Sequence, residues 1–311
     1  MTPTASSVLD RALAPLRAAV MTGVHAALGR PDEEDLAAYR TPAGDPGLFG
    51  PESLVWRVHG DLPVMLIGGF AALMLQTLHP LAMAGVAQHS RYREDPLGRL
   101  QRTARYVAGT SFGPMPLVDS LVRRVKAVHA TVRGTAPDGR SYSADDPDLV
   151  TWVHTTEFWC ILRSHQRYSL DPLLAAEKDR YLAEVAVLGE LLGGRAVPAS
   201  TEAYRRYFVA VEPELCATPG ARDALAFLRR PFSGGSLDAV AHHVIAEAAF
   251  DLLPGFARRL FALGRQSLGG GVLPGPGALA TRAAALGAAV ALRGVVGPSL
   301  VRAAAATRVS P

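Results

Sequence analysis

The side chains best suited to chemistry in this sequence are His129, His154 and a polar trio, Arg99, Arg102 and Thr103. His129 lies in "VRRVKAVHATVRG", residues 122–134. Helical spacing puts Val122, Val125, Val128, His129 and Val132 on one face and turns Arg123, Arg124, Lys126 and Arg133 elsewhere. An imidazole on an apolar stripe needs a partner. A backbone carbonyl supplies one; so does a metal, haem iron included, and the pattern leaves both open. His154 shares a helical stripe with Val150, Val153, Glu157 and Ile161. Its spacing to Glu157 allows a His–carboxylate pair, acting as internal glue, as support for a metal ligand, or as part of a metal site. In "GRLQRTARYV", Arg99, Arg102 and Thr103 stand at i, i+3 and i+4. Two guanidiniums and a hydroxyl on one face suit a carboxylate such as a haem propionate, or bound oxygen, or an ordinary solvated basic surface.

The remaining histidines have plainer settings. His79 precedes Pro80 and is expected to bond a carbonyl that the proline leaves free. His59, in "WRVHGD", is expected to fix local structure before a turn, and His89 to sit at a helix end. His243 and Glu247 stand four apart and can share a face, while His25 and His165 lie among polar residues and receive no role. Together, His79, His129, His154, Glu157, His243 and Glu247 would be the donor pool for a non-haem iron or diiron site. Such sites favour Glu-x-x-His pairs, however, and only the reversed "HTTE" occurs. There is no Gly-rich phosphate loop, Ser-His-Asp ordering or HExxH.

The elements that must carry these groups are helical. Apolar residues make up 49% of the chain and recur at helical period, with few alternating β-branched runs and few hairpin signals, so the expected fold is all-α. Asp95–Pro96 and Asp146–Pro147 mark helix starts, each an N-cap followed by a proline in the first turn. Residues 62–88 carry no formal charge and are long enough to cross a bilayer. Gln76, His79 and Pro80 in their second half point instead to a core helix buried on all sides, broken or kinked at Pro80. Three segments are expected: an N-terminal helical segment and linker over 1–45, a main helical domain over 46–266, and a Gly/Pro linker with a basic Ala-rich tail over 267–311.

After Asp251 no acid follows, while Arg258, Arg259, Arg265, Arg282, Arg293, Arg302 and Arg308 do. That tail suits the protein's own surface, a second subunit, or peripheral contact with an anionic membrane. Without a nucleic-acid motif or interleaved aromatics, nucleic acid is excluded as a partner. The two cysteines, Cys160 and Cys216, are too few for a disulfide framework and are expected to be buried thiols. With no secretory signal in view, a cytoplasmic protein is the expectation.

The segments "SLVWRVHGD", "GGFAALMLQTLHPLAMAGVAQHS", "DPLGRLQRTARYV" and "VKAVHATVRGTAPDGRSYSADDPDLVTWVHTTEF" occur in this order, followed by "EKDRYLAEVAVLGELLG". Over roughly residues 50–265 the chain resembles the MpaB-like and rubber-oxygenase (latex-clearing-protein) catalytic domains. The resemblance implies a globin-like helical core holding haem b through one axial histidine, which matches His129 in "HATVRG". It also implies an Arg-x-x-Lys-Thr motif, matched by "RLQRT" with Arg99 and Thr103 retained and Arg102 in place of the lysine. An arginine stays protonated and is no ordinary iron ligand, so the sixth iron position differs from the family pattern. The function implied is a haem-dependent oxygenase acting with dioxygen on an apolar, isoprenoid-like molecule. His79 and His154 are further candidates for the cofactor pocket. The alternatives are a non-haem iron enzyme and a binder of haem or an apolar ligand without turnover.

Overall fold

A computed structural model describes residues 31–230, 236–261 and 299–310, with isolated positions at 29, 283, 286 and 287. The expected N-terminal helix over residues 8–28, with His25, and the Gly/Pro linker lie outside the described residues. So do Arg265, Arg282 and Arg293. What is described is helical apart from one small hairpin, as the periodicity required.

The centre of the molecule is a pair of helices, α3 (Leu62–Gln76) and α7 (Pro147–Tyr168). Gly68 allows their close approach: a β-carbon there would stand 2.7 Å from Ile161 Cα. Around the pair lie α2 (Leu54–His59), α8 (Ala175–Leu191), α9 (Thr201–Val211), α10 (Pro219–Leu228), α11 (Ser236–Leu252) and α12 (Gly255–Leu260). They enclose one large apolar core that includes Val55, Met74, Trp152, Ile161, Leu182 and Leu252.

Residues 62–88 form two helices. α3 ends at Gln76, and α4 (Pro80–His89) leaves it at 104°. The Gln76 carbonyl, which Pro80 cannot satisfy, accepts from the Trp152 indole at 3.1 Å and from the His79 backbone N–H at 3.3 Å. The His79 ring therefore does not make the bond expected of it. Its Nε2 stands 3.8 Å from a Glu214 carboxylate oxygen, and its Nδ1 is buried with no partner. Nor is α3 buried on all sides: Leu62, Met65, Leu66, Gly69, Leu73 and Gln76 form a half-buried stripe. Among the described residues no single helix is long and apolar enough to cross a membrane.

Next in the chain come α5 (Pro96–Phe112) and α6 (Met115–His129), joined by Gly113 and Pro114. Asp95 caps α5 through the Gly98 N–H at 2.9 Å, and Asp146 caps α7 through Asp148 N–H at 2.9 Å, as their sequences announce. A short antiparallel ladder, β1 (Arg133–Thr135) with β2 (Ser141–Ser143), follows α6 and pairs Gly134 with Tyr142.

A second, smaller apolar cluster joins α1 (Glu33–Arg40) to α13 (Leu300–Val309) through Tyr39, Trp56, Phe112, Ala304 and Ala305. Arg308 is 2% exposed there. Its guanidinium donates to the carbonyls of Asp45 at 2.6 Å, Tyr39 at 2.7 Å and Phe112 at 2.9 Å. The described end of the basic tail thus covers the protein's own surface.

Candidate functional site

The α5–α6 hairpin places the candidate groups. With only two residues in the link, α6 folds back along α5; a β-carbon on Gly109 would meet the Leu121 side chain. The first turns of α5, bearing Arg99, Arg102 and Thr103, therefore lie at the same end of the hairpin as His129, the last residue of α6.

His129 is half-buried and carries no side-chain hydrogen bond among the described residues. Burial lowers its pKa, and Asp145 opposes that only in part, so the ring is neutral near pH 7. Asp145 is itself held ionised first by a bond from the Ser143 hydroxyl. The apolar face around the histidine is narrower than the spacing implied. Val122 is buried and Val125 and Val132 half-buried, but Val128 is 54% exposed, because it lies off the i, i+3, i+7 line of Val122, Val125 and His129.

The polar trio separates. Arg99 is half-buried and donates to the Ser90 hydroxyl. Desolvation lowers its pKa, and no described carboxylate pairs with it. A half-buried guanidinium whose partner among the described residues is a neutral hydroxyl keeps capacity for an anion. Arg102 is exposed and pairs with Asp95 at 3.2 Å, drawn back to the helix start. Thr103 is exposed, its hydroxyl donating to the Arg99 carbonyl at 3.0 Å.

His154 occupies different ground. Its ring bonds the Val185 backbone, its Nε2 is buried without a partner, and burial pushes its pKa down to about 3. Gly189 of α8 packs directly on it; a β-carbon there would stand 2.8 Å from the ring. His154 and Glu157 do not form the pair their spacing allows: the His154 ring is committed to Val185, and the Glu157 carboxyl stands beside Tyr106. Desolvation raises the Glu157 carboxyl to about 7. His243 and Glu247 do not pair either, because Glu247 is taken by Arg229, whose Nε stands at 3.0 Å. Cys160 is buried as expected, with its thiol pushed up to about 12, whereas Cys216 is exposed in the loop before α10. Among the described residues, no group of three or more His, Cys, Asp or Glu side chains converges as a metal site.

Two histidines that the sequence left aside are interior. His165 is 2% exposed. His59 bonds Ser111 of α5 through Nδ1 at 2.7 Å and Tyr181 of α8 through Nε2 at 3.0 Å. The available signal was His59's position: it follows "LVWRV", in which every residue but Arg57 is apolar and buried.

Comparison with known families gives one match. Residues 56–288 match the family described as "ER-bound oxygenase mpaB/B'/Rubber oxygenase, catalytic domain". Neither the curated proteins nor the solved structures yielded a match.

Proposed function

Starting from the fact that this chain belongs to the mpaB/rubber-oxygenase catalytic-domain family, we propose that it is a haem b-dependent oxygenase of an apolar, isoprenoid-like small molecule, with His129 as the axial iron ligand. The observation that carries this reading is the state of His129. Among the described residues its imidazole is neutral, half-buried and free of side-chain hydrogen bonds, at the hairpin end where a half-buried arginine pairs with no carboxylate. The donor chemistry of these residues fits the group. A neutral ring nitrogen is what iron requires, and Arg99 suits a propionate. Bound haem would supply the activation of dioxygen.

The chain's own residues do the rest. His129 would hold the cofactor from the α6 end, with the Asp145 charge nearby favouring a proton on its ring. Arg99 binds and orients the carboxylate edge. Arg102, held at Asp95, leaves the position that the family lysine takes in latex-clearing proteins. The half-buried stripe of α3, with Leu66, Gly69 and Leu73, offers apolar surface to a hydrocarbon substrate. Dioxygen and that substrate are the partners, and the scarcity of cysteine supports a cytoplasmic setting.

The test is an absorption spectrum with iron analysis. The purified protein should show a Soret band at stoichiometric iron, and His129→Ala should lose or shift it. A preparation full of haem whose spectrum is indifferent to His129→Ala removes His129 from the role; iron bound without a Soret band removes haem.

A further inference from the structure

The buried hydrogen bonds around His59 fix a proton arrangement that the reading above does not use. The Ser111 hydroxyl stands 2.6 Å from the Val107 carbonyl and has a single proton, which it donates there. It must then accept from His59, so His59 carries its proton on Nδ1 and presents a bare Nε2 to the Tyr181 hydroxyl 3.0 Å away. The result is a directed chain: Tyr181 O–H to His59, His59 N–H to Ser111, Ser111 O–H to a backbone carbonyl. Tyr181 is fully buried and His59 only 7% exposed, stacked on Phe158 at 5.7 Å. The Tyr106 and Tyr204 hydroxyls are buried too, but among the described residues they have no hydrogen-bond partner. Tyr181 therefore differs from both neighbours in having a base in contact.

We propose that Tyr181 is a redox-active tyrosine and that His59 is its proton acceptor. In the step, Tyr181 gives one electron to a high-potential one-electron oxidant, which is reduced by one unit, and gives its phenolic proton to His59 Nε2. The oxidant is a ruthenium(III) polypyridine in the test below, or the peroxide-oxidised haem of the proposed function. The O–H bond breaks, an N–H bond forms, and the products are a neutral phenoxyl and an imidazolium. Burial pushes His59 down to about 3 and Tyr181 well above its ordinary value, so the resting pair is neutral on both sides. Proton transfer begins only once the electron leaves, because an oxidised phenol is a far stronger acid than any imidazolium. The Nδ1–H bond to Ser111 steadies the imidazolium. Reduction reverses the step, and oxidisable rings lead away from the pair. Tyr204 is close enough to act on the Tyr181 hydroxyl electrostatically, and Trp159 stacks on Tyr204 at 5.5 Å. The source of the oxidant in the working enzyme rests on the proposed function; the competence of the pair does not.

The experiment has two arms on the full chain. In the first, photogenerated ruthenium(III) tris-bipyridine oxidises the protein without using any bound cofactor. In the second, peroxide is added to the protein as purified. Freeze-quenched samples are read by electron paramagnetic resonance. The first arm should give a phenoxyl signal that narrows on ring-deuterated tyrosine, disappears in Tyr181→Phe and survives in Tyr106→Phe. His59→Leu should abolish the signal or move it to another ring. Placing 3-fluorotyrosine at position 181 keeps the shape nearly intact and should print a fluorine splitting, which covers the case in which Tyr181→Phe does not fold. No organic radical in the first arm, or one without the fluorine splitting, overturns the proposal. A positive first arm with a silent second arm keeps the pair and counts against the haem reading.

Discussion

At the scale of single residues, three buried titratable groups set opposing pH dependences. His59 and His154 sit near 3 in the folded protein against an ordinary 6.5. The unfolded chain thus binds protons that the native one refuses, and stability falls as pH drops from about 6.5 toward 3, by about 1.4 kcal/mol per unit for each ring at most. Glu157, raised to about 7 from 4.5, works the other way: its proton is retained natively, and stability is lost as pH rises from 4.5 through 7. Glu157→Gln should therefore raise the melting temperature more at pH 8 than at pH 5, a comparison two thermal scans make. An equal change at both pH values would mean that the carboxyl ionises freely in the fold. The sequence exposed part of this site and hid part. The spacing of Arg99, Thr103 and His129 was visible because helices repeat. The His59–Tyr181 contact joins residues 122 positions apart, and no local pattern encodes it.

At the scale of elements, two adjacent glycines of α3 should respond in opposite ways to the same change. Gly68→Ala sets a β-carbon 2.7 Å from the Ile161 backbone, which has no side chain to swing aside, and should cost about 1–3 kcal/mol by forcing α3 from α7. Gly69→Ala meets nothing within 4 Å and should gain up to about 1 kcal/mol of helix propensity. Urea denaturation of the two variants checks the sign. The helix starts at Asp95 and Asp146 were legible because capping is local chemistry. The break after Gln76 was legible as a break, since proline cannot donate. Its closing partner, the Trp152 indole, comes from 76 residues away and so escaped notice. The β1–β2 hairpin was missed because its strands are three residues each, too short for alternation to show, although Asp138–Gly139 marks its turn.

At the scale of the whole molecule, α13 is held to the body by a small apolar cluster and by one buried cation. Arg308→Met should leave three carbonyls without their donor and cost about 1–3 kcal/mol for each that stays dry, measurable as a lowered melting temperature. Arg308→Lys should rescue little of it, because an ammonium cannot spread its donors across three diverging carbonyls as a guanidinium does. The all-α architecture followed from composition and period, but nothing in the Ala-rich tail distinguishes Arg308, which goes inside, from Arg302, which stays half-buried. The clasp also has a bearing on birth order. Arg308 leaves the ribosome long after its acceptors, which precede it by 196 to 269 positions. Until it arrives, the corner where α5 turns into α6 stands unfastened. Closure of that corner is thus a late event in synthesis, following the central helices rather than guiding them.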